Sequence, residues 1–200
     1  MQDIPAKTNP ESATKKAPWM VVYPGRGWRK QFMKMPLRYW RMGLGPILKR
    51  WFLVLTTTGR KSKQPRHTML EYLVMDEKTY LGSGWGERPD WCKNIAADPR
   101  VTVQSTKGVE RAIATRVTAD EEMARLYHVA KARNSPYWKP HLKSLGIEDT
   151  VEDYVAKKDR LVIFRLDPTN ERTPAPMKTD LVWVWAVIAV VAWVIWRMVG

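Results

Sequence analysis

The 200-residue sequence predicts an α+β fold: a closed or nearly closed β barrel carrying short helices, plus a C-terminal transmembrane helix. Three observations carry this reading. Six short β-like runs follow Trp51, each bounded by Gly, Pro, Asp or Lys. The helical stretches between them are inserted and do not alternate strictly with strands, which favours a barrel over a doubly wound sheet. An uncharged apolar run then stands near the end of the chain.

Taken in order, residues 1–18 form a polar, Pro-containing leader without the apolar core of a signal peptide, and are expected to be flexible. Residues 19–50 are a basic amphipathic helical segment. In it Trp28, Phe32, Met35, Tyr39 and Met42 recur at steps of four and three, while Arg29, Lys30, Lys34, Arg38 and Arg41 fill other faces. Pro36 kinks this helix or begins a second piece. The stripe fits a core face or a membrane-interface face, and the pattern leaves both open. Residues 51–168 hold the body of the domain. Its runs are WFLVLTTT, TMLEYLVMD, TYLGSG, VTVQS, VERAIATRV and RLVIFRL, interrupted by helices at Trp91–Ala97, Asp120–Asn134 and Thr150–Lys157. Thr118 and Glu121 form a capping-box pattern before the second helix. A polar linker with prolines, 169–180, leads to residues 181–199. There LVWVWAVIAVVAWVIW, extended to Val199 with Arg197 snorkelling, covers roughly 28 Å, close to a hydrocarbon core of about 30 Å. The Trp pairs at its two ends match interfacial aromatic belts.

Charge narrows the partners. Lys and Arg total 34 against 20 Asp and Glu, a formal net charge of +14, and residues 12–70 contain no acidic side chain. Such a half-chain attracts anions: nucleic acid, an anionic lipid surface, or a small cofactor with phosphate and carboxylates. No nucleic-acid recognition motif is present, so specific nucleic-acid binding is not expected. The single cysteine, Cys92, cannot form an intramolecular disulfide, and the basic domain beside the apolar run places residues 1–180 at the cytoplasmic face of a membrane with a C-terminal single-pass anchor. GxSxG, HExxH, CxxC, Walker A and GxGxxG patterns are all missing, which removes the main support for hydrolase, zinc and P-loop readings. His67, His128 and His141 lack ligand spacing, so no metal is expected.

The informative stretch is TTTGRKSKQPRHTML, Thr56–Leu70. A strand running into Gly59 and then Arg60, Lys61, Lys63 and Arg66 would present backbone N–H groups and four cations around one turn, a grip for phosphate or carboxylate. A solvated hairpin with a basic tip is the plain alternative. With GSGWG at 82–86, DWCKNIAADPRV at 90–101 and NSPY at 134–137, the sequence resembles the deazaflavin (coenzyme F-420)-dependent nitroreductases and quinone reductases over roughly Leu53–Pro168. The resemblance implies a flavin-binding split-barrel-like fold and an oxidoreductase that passes hydride from the reduced coenzyme to a lipophilic acceptor such as a quinone or nitro compound. It implies that Lys61, Ser62, Gln64 and Arg66 grip the phosphate and acidic tail. Gly82, Ser83, Gly84, Trp85 and Gly86 would form the loop beside the deazaflavin, Trp91 and Asn94 would lie at the ring end, and Tyr137 would serve catalysis near the acceptor.

Two positions depart from the family pattern: Gly84-Trp85 stands where many members carry a loop Lys, and Lys63 stands where they carry Gly. The first removes a cation and the second a permissive turn residue. FMN therefore stays open as an alternative cofactor, and a fatty acid or other amphiphile as the ligand of a non-catalytic barrel. The expected partners are the lipophilic acceptor and anionic membrane lipids.

Overall fold

The structure, a computed structural model, describes residues 34–199. The leader and most of the predicted N-terminal helix, including Trp28 and Phe32, lie outside the described residues. Seven antiparallel strands form one sheet: β1 Phe52–Thr58, β2 Pro65–Glu71, β3 Leu73–Met75, β4 Lys78–Ser83, β5 Arg100–Ser105, β6 Gly108–Arg116 and β7 Val162–Pro168. Their order is β2-β1-β5-β6-β7-β4-β3. Only Tyr72 separates β2 from β3 in the chain, yet these strands stand at opposite edges of that order. One residue cannot span a flat sheet of seven strands spaced about 4.8 Å apart, so the sheet curls until its edges approach. This curled antiparallel sheet with helices fits the split-barrel fold. The run TMLEYLVMD, expected as one strand, is two, because the chain leaves one edge and joins the other at Tyr72.

Period-two alternation builds the inside. Leu53 and Leu55 of β1, Val101 and Val103 of β5, Ala112 and Ala114 of β6, and Phe164 and Leu166 of β7 meet Leu81, Trp91 and Ile95 in the barrel core. The outer faces of several strands are covered as well. Tyr80 and Ile163 lie under α4 Asp120–Ala132, α5 Trp138–Leu145 and α6 Val151–Ala156, where Met123, Leu126, Leu142 and Tyr154 form a second core. Val54 lies under Trp40 and Met177. Covering on both faces is why Leu53–Thr57 are all buried and β1 reads as a continuous hydrophobic run rather than an alternating one. The predicted capping box does not form: Ala119 stands at the N-cap of α4, and Thr118 lies one residue too early. Thr150 does cap α6, accepting from the Asp153 N–H. Helix α5 has no counterpart among the expected elements.

Around Pro36 the chain forms α1 Met35–Tyr39, a π-helical turn Trp40–Leu44 and α2 Gly45–Leu48, with Gly43 at φ +89° breaking the regular helix. Residues 169–180 are laid along the outside of the sheet. Gln104 of β5 donates from Nε2 to the Met177 carbonyl (3.1 Å) and accepts from the Met177 N–H (2.8 Å), and Thr102 donates to the Pro174 carbonyl. This strap ends in a bidentate Arg41–Asp180 ion pair at 2.6–2.7 Å.

The expected membrane span is corrected here. The Leu181 N–H donates to the Arg41 carbonyl (3.0 Å) and Trp185 Nε1 to the Met42 carbonyl (2.7 Å), so the first apolar residues are taken up in a turn docked on the π-helical segment. Helix α7 starts at Val184 and ends at Val199. Its 16 residues reach about 24 Å, short of a hydrocarbon core of about 30 Å. Among the described residues no helix is long and apolar enough to cross a membrane. The C-terminal single-pass anchor, the localisation built on it and the expected lipid partners lose their support.

Candidate active site

Two of the three segments that carry the predicted site are fastened to one short helix, α3 Asp90–Ala97. The first is the turn after β1. There the Gly59 N–H donates to the Gln64 carbonyl (2.9 Å) and the Lys63 N–H to the Gly59 carbonyl (2.7 Å), closing Arg60–Lys63 into a tight loop. A Cβ on Gly59 would meet Ser62 Oγ at 2.6 Å and the Gln64 carbonyl oxygen at 3.1 Å, so a side chain here would crowd the closed turn. Lys63 adopts φ +57°, the left-handed conformation in which a glycine would cost less. Lys61, Ser62, Gln64 and Arg66 are all exposed on this turn. Arg66 Nη2 donates to Ser62 Oγ (3.1 Å), and Ser62 Oγ also lies 3.4 Å from the Gln64 N–H. Among the described residues no carboxylate lies within ion-pair distance of Lys61, Lys63 or Arg66.

Arg60 behaves differently from its neighbours. Its Nη1 reaches Asp90 (3.1 Å) and the Asn94 side-chain oxygen (3.3 Å), and its backbone N–H also donates to that oxygen (3.2 Å). Asn94, 3% exposed, donates in turn to Thr57 Oγ1 (3.0 Å). Asp90 and Asn94 are four apart on one face of α3, and together they pin the turn to the helix. Asn94 is thus a clamp on the turn. Arg60, expected among the four anion-gripping cations, and Asp90, absent from the predicted set, complete that clamp; the four-residue spacing in DWCKN was the signal for it.

The second segment is the loop after β4. Ser83 Oγ donates to the Gly86 carbonyl (2.6 Å), and the Trp85 N–H lies 3.4 Å from the same hydroxyl. Gly86 takes φ +61°. A Cβ on Gly82 or Gly84 would meet nothing within 4 Å, so open space borders this backbone. Cys92 on α3 holds the loop through a 3.6 Å contact from Sγ to the Gly86 carbonyl, and burial pushes its thiol up to about 11. Trp91, on the same helix, faces inward: it is 5% exposed and packs edge-on to Phe164 at 5.8 Å, so its ring belongs to the core.

Tyr137 comes from the third segment, just ahead of α5. It is 45% exposed and stands at the rim of a cavity of about 210 Å³ that Gly82 and Ser83 also line. The remaining wall is mostly apolar and aromatic, with Tyr72, Leu126, Trp138 and Leu161. A separate open cleft lies beside the turn, between Arg60, Lys63, Asp98 and Arg100. None of the predicted cofactor residues lines it. There the Arg100 guanidinium holds the Asp98 carboxyl below its usual range. Among the described residues no group of His, Cys, Asp and Glu could hold a metal ion.

A turn whose Lys61, Lys63 and Arg66 have no carboxylate partner among the described residues, and a glycine loop bordered by open space, both fastened to one helix, fit a ligand with an anionic end and a flat end. The family model of F420H(2)-dependent quinone reductases matches residues 38–143, more than half of the chain, and that match spans the turn, the loop, α3 and Tyr137. The chain belongs to this family.

The reductase is therefore an oxidoreductase whose cofactor is coenzyme F-420. Among solved structures it is similar to an F420-H2 dependent reductase (FDR-A), at 25% identity over 59% of this chain and 95% of that one, with a TM-score of 0.42. It is also similar to a conserved hypothetical protein from Mycobacterium tuberculosis (18% identity, 66% and 81% coverage, 0.42). A putative pyridoxamine 5'-phosphate oxidase from Listeria innocua matches at 15% identity, 67% and 97% coverage and 0.40. Overlaps at this level leave the assignment resting on the family match. The site of the reductase answers the departures noted in its sequence. Lys63 occupies the left-handed position that glycine fills elsewhere, so the turn closes at some strain, and Trp85 leaves the glycine loop without a cation of its own.

Proposed function

We propose that this reductase delivers hydride from reduced coenzyme F-420 to a lipophilic acceptor, a quinone or a nitro compound, bound in the cavity rimmed by Tyr137. The observation that carries the proposal is the fastening of both segments to α3: Asp90 and Asn94 hold Arg60 of the cationic turn, Cys92 holds the glycine loop, and Gly82 and Ser83 at the head of that loop line the cavity. On this reading Lys61 and Arg66 meet the coenzyme's phosphate and acidic tail, with Ser62 and Gln64 supplying neutral hydrogen bonds. The backbone at Gly82, Ser83, Gly84, Trp85 and Gly86 accepts the flat end at close range, because Gly82 and Gly84 present no side chain there. When bound in its reduced form, the coenzyme supplies one hydrogen with two electrons. Tyr137, half-exposed at the cavity mouth, orients the acceptor and holds a proton at its phenol oxygen.

The test is a fluorescence titration of the full chain with coenzyme F-420, run beside FMN. Submicromolar F-420 binding is expected, with FMN weaker. Each charge-assisted hydrogen bond to an anion is worth about 1.5–3 kcal/mol, so Lys61→Ala with Arg66→Ala weakens binding at least tenfold, roughly. Binding by the double variant at the level of the parent, or no binding of either flavin, overturns the assignment of the turn. Lipid copurifying with a protein that binds neither flavin turns attention to an amphiphile in the aromatic cavity.

A further inference from the structure

The three histidines have different surroundings. His67 Nδ1 lies 3.0 Å from Thr56 Oγ1 on the outer face of the sheet, and the His128 ring stands edge-on to Tyr127 at 5.4 Å. His141 sits one turn beyond Tyr137 on α5, its backbone N–H donating to the Tyr137 carbonyl (2.9 Å), and its side chain lines the cavity. Neither ring nitrogen of His141 has a hydrogen-bond partner among the described residues. Tyr154 lines the same cavity from α6. It is 3% exposed, and its hydroxyl also has no partner among the described residues. By contrast the other buried phenols are engaged: Tyr80 donates to Glu122 (2.8 Å) and Tyr127 to the Asp149 carbonyl (2.7 Å).

Their polar atoms are not sealed in the wall but keep accessible surface, so two donors without a protein partner among the described residues, on adjoining helices, are open to a ligand in one small cavity. Burial lowers the pKa of His141 and raises that of Tyr154, so near neutral pH the first is an uncharged imidazole with one N–H and the second a protonated phenol. Both can donate to a neutral oxygen, and neither brings a charge that would repel an apolar ligand.

We infer that His141 and Tyr154 donate hydrogen bonds to an oxygen of the acceptor, seating it in the cavity. This rests on the reading of the cavity as the acceptor site. At about 210 Å³ the cavity lies below the roughly 300 Å³ at which drug-sized pockets begin. It admits a head of one or two fused rings bearing a carbonyl or nitro oxygen, and leaves any longer chain outside past Tyr137. The oxygen so held is the one on which negative charge accumulates during reduction, so the two donors act more strongly as the reaction proceeds.

The test uses the full chain and two probes of the same ring shape, menadione and 2-methylnaphthalene, which lacks the oxygens. Binding without coenzyme is read from quenching of tryptophan fluorescence, since Trp138 lines the cavity. The protein binds menadione more tightly than 2-methylnaphthalene. Tyr154→Phe and His141→Leu each weaken menadione binding roughly 2- to 12-fold, the value of one net hydrogen bond, and leave 2-methylnaphthalene unchanged. His141→Gln, which restores an N–H, recovers most of the loss. With reduced coenzyme F-420 present, kcat falls further than affinity does. Menadione binding unchanged in both single variants, or a preference for 2-methylnaphthalene, overturns the inference. A coenzyme F-420 titration of the same proteins separates the two levels: loss of coenzyme binding in the parent sinks the functional reading, whereas coenzyme binding with indifferent variants sinks only the role of His141 and Tyr154.

Discussion

Replacing Asn94 by alanine tests whether the site is held by the clamp from α3. Three hydrogen bonds disappear: two into the side-chain oxygen from Arg60, and one from the side-chain amide to Thr57 Oγ1. Thr57 is 1% exposed, and its hydroxyl keeps only a 3.5 Å approach to the Arg66 carbonyl. Stranding a buried hydroxyl costs about 1–3 kcal/mol, while the Arg60 groups regain water and lose roughly 0.5–1.5 kcal/mol each. The expected total is about 3 kcal/mol, which a domain with about 5–15 kcal/mol of stability survives. In urea denaturation with a slope near 2 kcal/mol/M, the midpoint falls by about 1.5 M. Asn94→Asp keeps an oxygen for Arg60 and an acceptor for the Thr57 hydroxyl, and loses less, about 1 kcal/mol. Because the turn is loosened, coenzyme binding weakens in the alanine variant as well. A loss below about 0.5 kcal/mol at unchanged slope would refute the clamp and return Asn94 to direct ligand contact.

Lys63→Gly relieves a left-handed residue at φ +57°; it raises stability by about 0.5–1 kcal/mol and the melting temperature by a few degrees, and a lower Tm contradicts the strain. His67 and His141 both have lowered pKa values, from burial and, for His67, also the Arg41 charge. The unfolded chain then takes up protons near pH 6.5 before the native state does, so stability is full above that pH and falls as pH drops through it. Urea midpoints measured between about pH 7.5 and 5 show this slope, and a His67→Asn, His141→Asn double variant flattens it. Cys92 runs the other way: its thiol is raised from 9 to about 11, so above about pH 9 the unfolded chain loses a proton that the native state keeps, and stability declines. At pH 8 iodoacetamide labels the native thiol far more slowly than the urea-unfolded one, and equal rates would place Cys92 at the surface.

How much of this could be read along the chain depends on the range of the interaction. The strands follow from period-two hydrophobicity, and α4 and α6 from local patterning, so their positions come through within a few residues. The turn at Gly59 announces itself by composition. Its strain at Lys63 is local backbone geometry, which a residue type alone suggests. The break at Tyr72 is different: TMLEYLVMD is uniform in β propensity, and only closure of the sheet decides that one residue joins two edges. The same holds for the apolar tail, whose composition matches a membrane span while two of its residues, Leu181 and Trp185, are held by the Arg41 and Met42 carbonyls.

The candidate site residues divide along the same line. The types that handle anions and close backbone approach, Lys61, Arg66 and the glycines at 82, 84 and 86, are visible because their chemistry is intrinsic to the side chain or its absence. Whether Asn94 touches a ligand or fastens a turn, and whether Trp91 lines a cleft or fills a core, depends on partners 30 or more residues away. His141 and Tyr154 carry no signal in the sequence, since an isolated histidine or tyrosine on a helix is ordinary. Residue chemistry and the period of each element are written along the chain. Which polar groups the protein satisfies and which face a cavity is settled by folding, because satisfaction of a hydrogen bond is a property of neighbours brought together in space.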